Sequence, residues 1–180
     1  MQRAFDQLFH DVCFSNQNIL ILAVRSGFAG YDNPTHHGIY DISYTKCLPN
    51  LSIYYPSNIS ELYYMIINKL KNPTGPSLIL MPYGPLTKNN ILDKNTSFNM
   101  EDLDFIFDNF SDGIIFTVGN KVDDCAKVIN LLSEDSLNYG LVNIRKIKPL
   151  PKNSVLKILE KVNNIVTVEE SIIEGGFGES

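Results

Sequence analysis

The chain has 180 residues, 44% of them apolar and 19% charged, with a formal net charge of −5; this length holds one large domain or two small ones with a buried core, and the acidic balance lacks the clustered basic surface that binding along a nucleic acid demands. No run approaches the roughly twenty apolar residues of a membrane span. The three cysteines, Cys13, Cys47 and Cys125, lie far apart without CxxC spacing, so neither a disulfide framework nor a zinc site is indicated and a reducing compartment is the simpler reading.

Met1-Gln2-Arg3-Ala4-Phe5-Asp6 has no basic stretch leading into an apolar core, so no signal peptide is expected. Phe5, Leu8, Phe9, Val12 and Cys13 recur at helical spacing and predict an amphipathic helix over 3–14. Next comes Ile19-Leu20-Ile21-Leu22-Ala23-Val24, an unbroken apolar hexamer that predicts a strand buried on both faces of a parallel sheet. Arg25 stands where this strand ends. The fourteen residues from Arg25 to Gly38 gather an arginine, an aspartate, two histidines, three glycines and a proline. Ligands of open α/β sheets bind outside the carboxyl ends of the strands, which makes this loop the candidate site. Beyond it the pattern predicts a short helix over 39–46, a strand over 51–54, a helix over 59–71 opened by Asn58 and Glu61 at capping-box spacing, and a strand over 77–81. The order β, α, β, α, β implies a parallel sheet with helices on its faces.

The segment 87–112 is read as a linker, because Thr87-Lys88-Asn89-Asn90 and Lys94-Asn95-Thr96-Ser97 are polar and aperiodic. Inside it, Leu103, Phe105, Ile106 and Phe110 mixed with acids over 100–110 fit a short helix docking on either domain. A second unit follows, with strands over 113–119, 140–144 and 165–168 and helices over 122–132 and 155–162. The expected fold class is therefore α/β, with two consecutive parallel-sheet domains at 1–86 and 113–180. Glu169-Glu170 reads as a solvated acidic pair and Gly175-Gly176-Phe177-Gly178 as a tight turn into a helix, too short for a dinucleotide signature.

The run Gly30-Tyr31-Asp32-Asn33-Pro34-Thr35-His36-His37-Gly38, continued by Tyr40-Asp41-Ile42-Ser43-Tyr44 and Cys47-Leu48-Pro49-Asn50, resembles the pyrimidine-binding domain of the 1-deoxy-D-xylulose-5-phosphate synthases, thiamine-diphosphate enzymes of transketolase type. Further matching motifs follow in order along nearly the whole chain: Gln2 to Gln7, His10-Asp11-Val12, Pro56-Ser57 with Glu61, Lys148-Pro149-Leu150, Val168-Glu169-Glu170 and the Gly175–Gly178 turn. The resemblance implies two domains of transketolase type, the first missing its amino-terminal part and the second truncated. It implies a parent that condenses pyruvate with glyceraldehyde 3-phosphate to 1-deoxy-D-xylulose 5-phosphate with loss of CO2, at the start of non-mevalonate isoprenoid (and thiamine and pyridoxal precursor) synthesis. The parent is then a homodimer using thiamine diphosphate and Mg2+. The main cofactor and metal ligands are expected outside this chain, which is expected to bind neither tightly and to be inactive alone. Neither nucleic acid nor a membrane is expected as a partner. Abundant Asn, Ile, Lys and Tyr suggest AT-biased coding, which points by association to a plastid-type, apicoplast-like organelle, with a bacterial cytoplasm as the alternative.

Two adjacent histidines suggest a metal by residue type, yet no Cys, Asp or Glu stands at a spacing that completes a ligand set, and no metal residue is assigned. By resemblance His36 matches the family histidine over the cofactor's reactive carbon, a service for which an imidazole near neutral pH is suited. His37 stands where the family commonly has Gln or Asn and receives no role. Asp32 is either a turn-forming carboxylate or, as the resemblance implies, the active-site aspartate that orients donor hydroxyls and the histidine. Arg25 and Arg3 match arginines facing the substrate channel, Arg25 as the phosphate ligand of the aldehyde, where a guanidinium can make two parallel hydrogen bonds. The chain departs from the pattern at Val24, where the family has Asp, and at Leu80-Met81-Pro82-Tyr83-Gly84, where it has Arg-Tyr-Pro-Arg-Gly. Tyr83 thus replaces a phosphate-binding arginine with one neutral hydrogen bond. Two other readings stay open: the beta subunit of a 2-oxo acid dehydrogenase decarboxylating component, and a non-catalytic dimerisation scaffold. A Gly-Asp-Gly motif followed by Asn in the upstream reading frame separates enzyme from scaffold.

Overall fold

The computed structural model describes residues 2–30, 34–84, 86 and 99–180, which build two four-stranded sheets. The opening apolar periodicity makes a helical segment, but its winding changes along its length. A 3-10 turn over Gln2–Ala4 passes through one α turn, α1 (Phe5–Gln7), into a π-helical stretch from Leu8 to Phe14. Leu8 and Cys13 are buried, with Phe5, Phe9 and Val12 packed beside them.

The first sheet contains β1 (Leu20–Ser26), β2 (Ser52–Tyr54) and β3 (Ser77–Pro82), all parallel in the order β1-β3-β2. Helix α2 (Asp41–Lys46) and helix α3 (Ile59–Lys71) lie in the connections. The predicted capping residues open α3: the Asn58 side chain accepts from the Glu61 N–H at 2.9 Å, and the Glu61 carboxylate turns back to the N–H and hydroxyl of Ser57, both at 2.8 Å. The second sheet contains β4 (Leu103–Phe107), β5 (Gly113–Thr117), β6 (Tyr139–Ile144) and β8 (Ile165–Val168) in the order β4-β6-β5-β8, parallel except for β4. Helices α4 (Lys121–Glu134) and α5 (Lys152–Leu159) complete this unit.

Three expectations change. Strand β1 is the outer strand of its sheet, and Leu22 and Val24 are 44% and 66% exposed while Ala23 and Ser26 face inward. An apolar run carries no alternation, so it leaves open whether one face or both are covered. Residues 103–107, read as part of a linker and as helix, form a strand because β6 offers an open edge whose unpaired backbone groups they satisfy; the polar runs at 87–90 and 94–97 lie outside the described residues. Finally, β7 (Lys146–Lys148) leaves its own unit and pairs antiparallel with β2 of the first sheet.

As a result one core runs through both halves. Ile53, Leu78 and Leu80 of the first sheet belong to the same buried cluster as Ile114, Phe116, Val142 and Ile144 of the second. Each such side chain contributes about 1.5–3 kcal/mol when fully removed from water. A polar network crosses the same boundary: Arg145, just past β6, places Nε 2.6 Å from Glu61 and Nη2 2.7 Å from Asp104, and the Asn143 amide donates to Glu61 at 3.2 Å. No helix among the described residues is long and apolar enough to cross a membrane.

Candidate functional site

The site starts from an irregularity in β1. Its register against β3 shifts between Val24 and Ser26, and the residue in the bulge, Arg25, takes a positive φ of 65°. A non-glycine residue held there is strained by on the order of 1–3 kcal/mol, a cost found mostly at functional positions. Ser26 pairs with Pro82, the last residue of β3, so Tyr83 emerges beside the bulge and the Arg25 guanidinium lies 5.6 Å from the centroid of its ring.

The chain then loops out and returns at Gly38, whose N–H donates to the Gly27 carbonyl at 2.8 Å. A Cβ on Gly38 would stand 2.7 Å from Oδ2 of Asp41, so the close approach there requires glycine. Between the two stems, the Ala29 N–H donates to Nδ1 of His37 at 2.8 Å, which leaves the His37 proton on Nε2, and the Phe28 ring meets the imidazole edge-on at 5.7 Å. His36 ends the 3-10 turn Pro34–His36, exposed, with the Thr35 hydroxyl 3.1 Å from its Nδ1.

Asp41 opens α2 beneath the loop. Its Oδ2 accepts from the buried Ser26 hydroxyl at 3.0 Å and its Oδ1 from the Tyr44 phenol at 2.8 Å. Burial pushes this carboxyl above its ordinary value, against the two hydrogen bonds that favour the charged form. Burial and the neighbouring Asp41 raise the Tyr44 phenol as well.

Gln2, Arg25, His36, His37, Gly38 and Asp41 share the wall of a cleft of about 380 Å³ at the carboxyl end of β1. A larger groove of about 970 Å³ lies elsewhere, but its three lysines, Lys46, Lys148 and Lys152, are balanced by Glu101, Asp102 and Glu179. Lys46 already donates to the Gly176 carbonyl at 2.6 Å and Lys148 to that of Leu48. The smaller cleft, with its strained arginine and two imidazoles, is the better candidate.

Of the residues predicted from sequence, the structure brings Arg25 and His36 into one cleft and sets Tyr83 under Arg25. Arg3 sits exposed in the opening 3-10 turn, next to Gln2 of the cleft wall. Asp32 lies outside the described residues. Asp41 was missed as a site residue, although its position straight after the glycine-rich loop was the available signal. The acidic pair expected to be solvated is engaged instead: Glu169 accepts from the N–H groups of Phe177 and Gly178 at 2.8 and 2.7 Å, and Glu170 pairs with Lys121 at 2.8 Å. Two backbone N–H groups and a lysine ammonium explain this, because a carboxylate is the strongest acceptor at hand. Among the described residues no group of three or more His, Cys, Asp or Glu is arranged to hold a metal ion.

Residues 1–88 match the transketolase pyrimidine-binding domain and residues 110–180 the transketolase C-terminal domain. A 1-deoxy-D-xylulose-5-phosphate synthase of Crocosphaera subtropica is 32% identical over 178 residues, and that of Halothermothrix orenii is 33% identical over 178 residues, in each case 99% of this chain. The chain spans 28% of the length of these curated relatives. A solved structure of a split-gene transketolase, an inactive β4 tetramer, superposes with a TM-score of 0.84 at 20% identity, over 98% of this chain and 56% of that one. With both halves matched in order and the polar cleft lying in the pyrimidine-binding half, the chain belongs to the transketolase-like family of thiamine-diphosphate enzymes.

Proposed function

We propose that this chain is the acceptor-handling part of a 1-deoxy-D-xylulose-5-phosphate synthase, whose full-length parent, as a homodimer, joins pyruvate to glyceraldehyde 3-phosphate with release of CO2. The observation that carries the reading is the gathering of Arg25, His36 and, under Arg25, Tyr83 at the carboxyl ends of β1 and β3. The names of the curated relatives support the choice of substrates. Arg25 is the phosphate clamp, a permanently charged fork that binds a dianion in parallel hydrogen bonds, with the Tyr83 hydroxyl as a neutral second donor. His36 handles the proton. As the new carbon–carbon bond forms, the aldehyde oxygen gains charge and needs a proton, and an exposed imidazole on the cleft rim can deliver it near neutral pH. His37, held with Nδ1 as an acceptor, presents Nε2–H as a fixed donor.

Thiamine diphosphate, when bound, supplies the electron sink for decarboxylation. The described residues do not fit its diphosphate and magnesium, since no carboxylate set is arranged for the ion, and those contacts are assigned to other parts of the parent. The test is the full-length parent with pyruvate, glyceraldehyde 3-phosphate, thiamine diphosphate and Mg2+. Equimolar CO2 and 1-deoxy-D-xylulose 5-phosphate are expected; turnover only with a lipoyl acceptor, or none, overturns the reading.

A further inference from the structure

We infer that Glu170, a residue of the second unit, is a positioning residue that holds the loop carrying His36 and His37. It follows β8, its side chain is only 14% exposed, and its two oxygens take different partners. Oε1 is anchored within its own unit by the Lys121 ammonium at 2.8 Å, and that bond is the main reason the ammonium is held more firmly protonated than usual. Oε2 is turned to the first unit, where it accepts from the Phe28 N–H at 3.4 Å, with the Asn120 amide donating to it at 3.4 Å. The loop backbone rests against this carboxylate closely enough that a Cβ on Gly27 would collide with it, and Gly27 holds a φ of +85° there.

The next two residues secure the other stem. The Ser171 hydroxyl and the Ile172 N–H donate to the Ile39 carbonyl at 2.9 and 3.3 Å. Three consecutive residues therefore grip the loop where it leaves β1, at Phe28, and where it returns, at Ile39. Next to these grips are the Gly38 to Gly27 hydrogen bond and the Ala29 N–H that fixes the His37 tautomer. Loss of the Glu170 contact frees Phe28, then Ala29, and with it the ring beside His36.

The test reads the loop directly, on this chain. With 15N-labelled histidine, the His37 signal, identified through His37→Asn, should report Nδ1 as the unprotonated nitrogen. In Glu170→Ala that signature should collapse towards a tautomer mixture, and the amides of Phe28, Ala29 and Gly38 should exchange about tenfold faster while those of β3 and β5 do not change. An unchanged His37 signal with unchanged loop exchange overturns the inference. Should Glu170→Ala fail to fold, the same readouts go to Lys121→Met, which keeps the carboxylate but removes its anchor. Faster exchange confined to the loop supports the inference there, and no change or loss throughout the fold overturns it. A second arm, resting on the reaction proposed above, uses the parent: Glu170→Gln should raise KM for the aldehyde more than KM for pyruvate, and equal changes count against the inference. A parent without synthase activity would refute the proposed function while leaving the histidine spectra to decide the role of Glu170.

Discussion

Replacing Arg145 by Met removes the charge that joins the two units while keeping most of the side chain's apolar stem. Arg145 is 15% exposed and serves two carboxylates, Glu61, only 4% exposed, and Asp104. Breaking a buried pair from one side costs about 3–5 kcal/mol, because the remaining charge is left in a medium that solvates it poorly. Glu61 would keep both Ser57 donors and the Asn143 amide. Its charge is therefore partly solvated, and the lower end, about 3 kcal/mol, is expected. In a chain of this size each kcal/mol corresponds to about 2–4 °C, so the melting temperature should fall by about 6–12 °C. Urea unfolding at pH 7 measures the loss. Adding Glu61→Gln should then restore most of it, since the stranded charge, rather than the missing contact, dominates. A loss below about 1 kcal/mol for Arg145→Met, or simple additivity in the double variant, would show that water reaches Glu61 and that the ion pairs add little to holding the units together.

In the parent, Arg25→Ala should raise KM for glyceraldehyde 3-phosphate by about ten- to a hundredfold with little effect on pyruvate; equal effects on both would make the arginine structural. His36→Ala should lower turnover by about two to four orders of magnitude, and an unchanged rate in a steady-state assay removes it from the chemistry. Tyr83→Arg places a second cation against Arg25, so the chain should melt lower in phosphate-free buffer and recover as inorganic phosphate is added; a melting curve indifferent to phosphate refutes the clamp. Asp41 holds its proton more tightly folded than its ordinary 3.8, so its contribution is present at low pH and lost as pH rises through the folded value. Asp41→Asn should accordingly gain on the wild type as pH rises through the acid range, and a stability gap independent of pH would contradict this.

Where local rules decide, the fold is legible in the sequence. The spacing of Asn58 and Glu61 marks the start of α3, and the apolar blocks around 79, 115 and 142 are strands because nothing in them suits another element. The failures share one cause, the distance along the chain at which partners meet. Glu61 reads as a capping residue, and nothing near it announces Arg145, 84 positions away. Leu103-Asp104-Phe105-Ile106-Phe107 ends in three apolar residues and carries no alternation, a bulge exposes Phe105 and Ile106, and only the open edge of β6 settles its state. At the site, the glycines and histidines of the loop were visible as composition, and Arg25 as a strand-end residue. That Ser26 would be buried against Asp41, fifteen positions away, depends on the bulge at Arg25, which no residue pattern specifies.

The place of β7 in the first sheet bears on how such a chain can be cut or recombined. The two matched domains adjoin between 88 and 110, which looks like a natural seam. A cut there carries off Lys146 and Lys148, the partners of Tyr54 and Ile53, along with the Arg145 carbonyl that accepts from the Tyr55 N–H at 3.0 Å. The far side of β2 then becomes a bare row of amides and carbonyls, ready to pair with any extended chain it meets. In a chimera of two relatives the strand 146–148 must come from the same donor as the sheet it completes. What looks like a module boundary in the sequence is therefore a poor crossover point, because the sheet on one side of it is completed by a strand from the other.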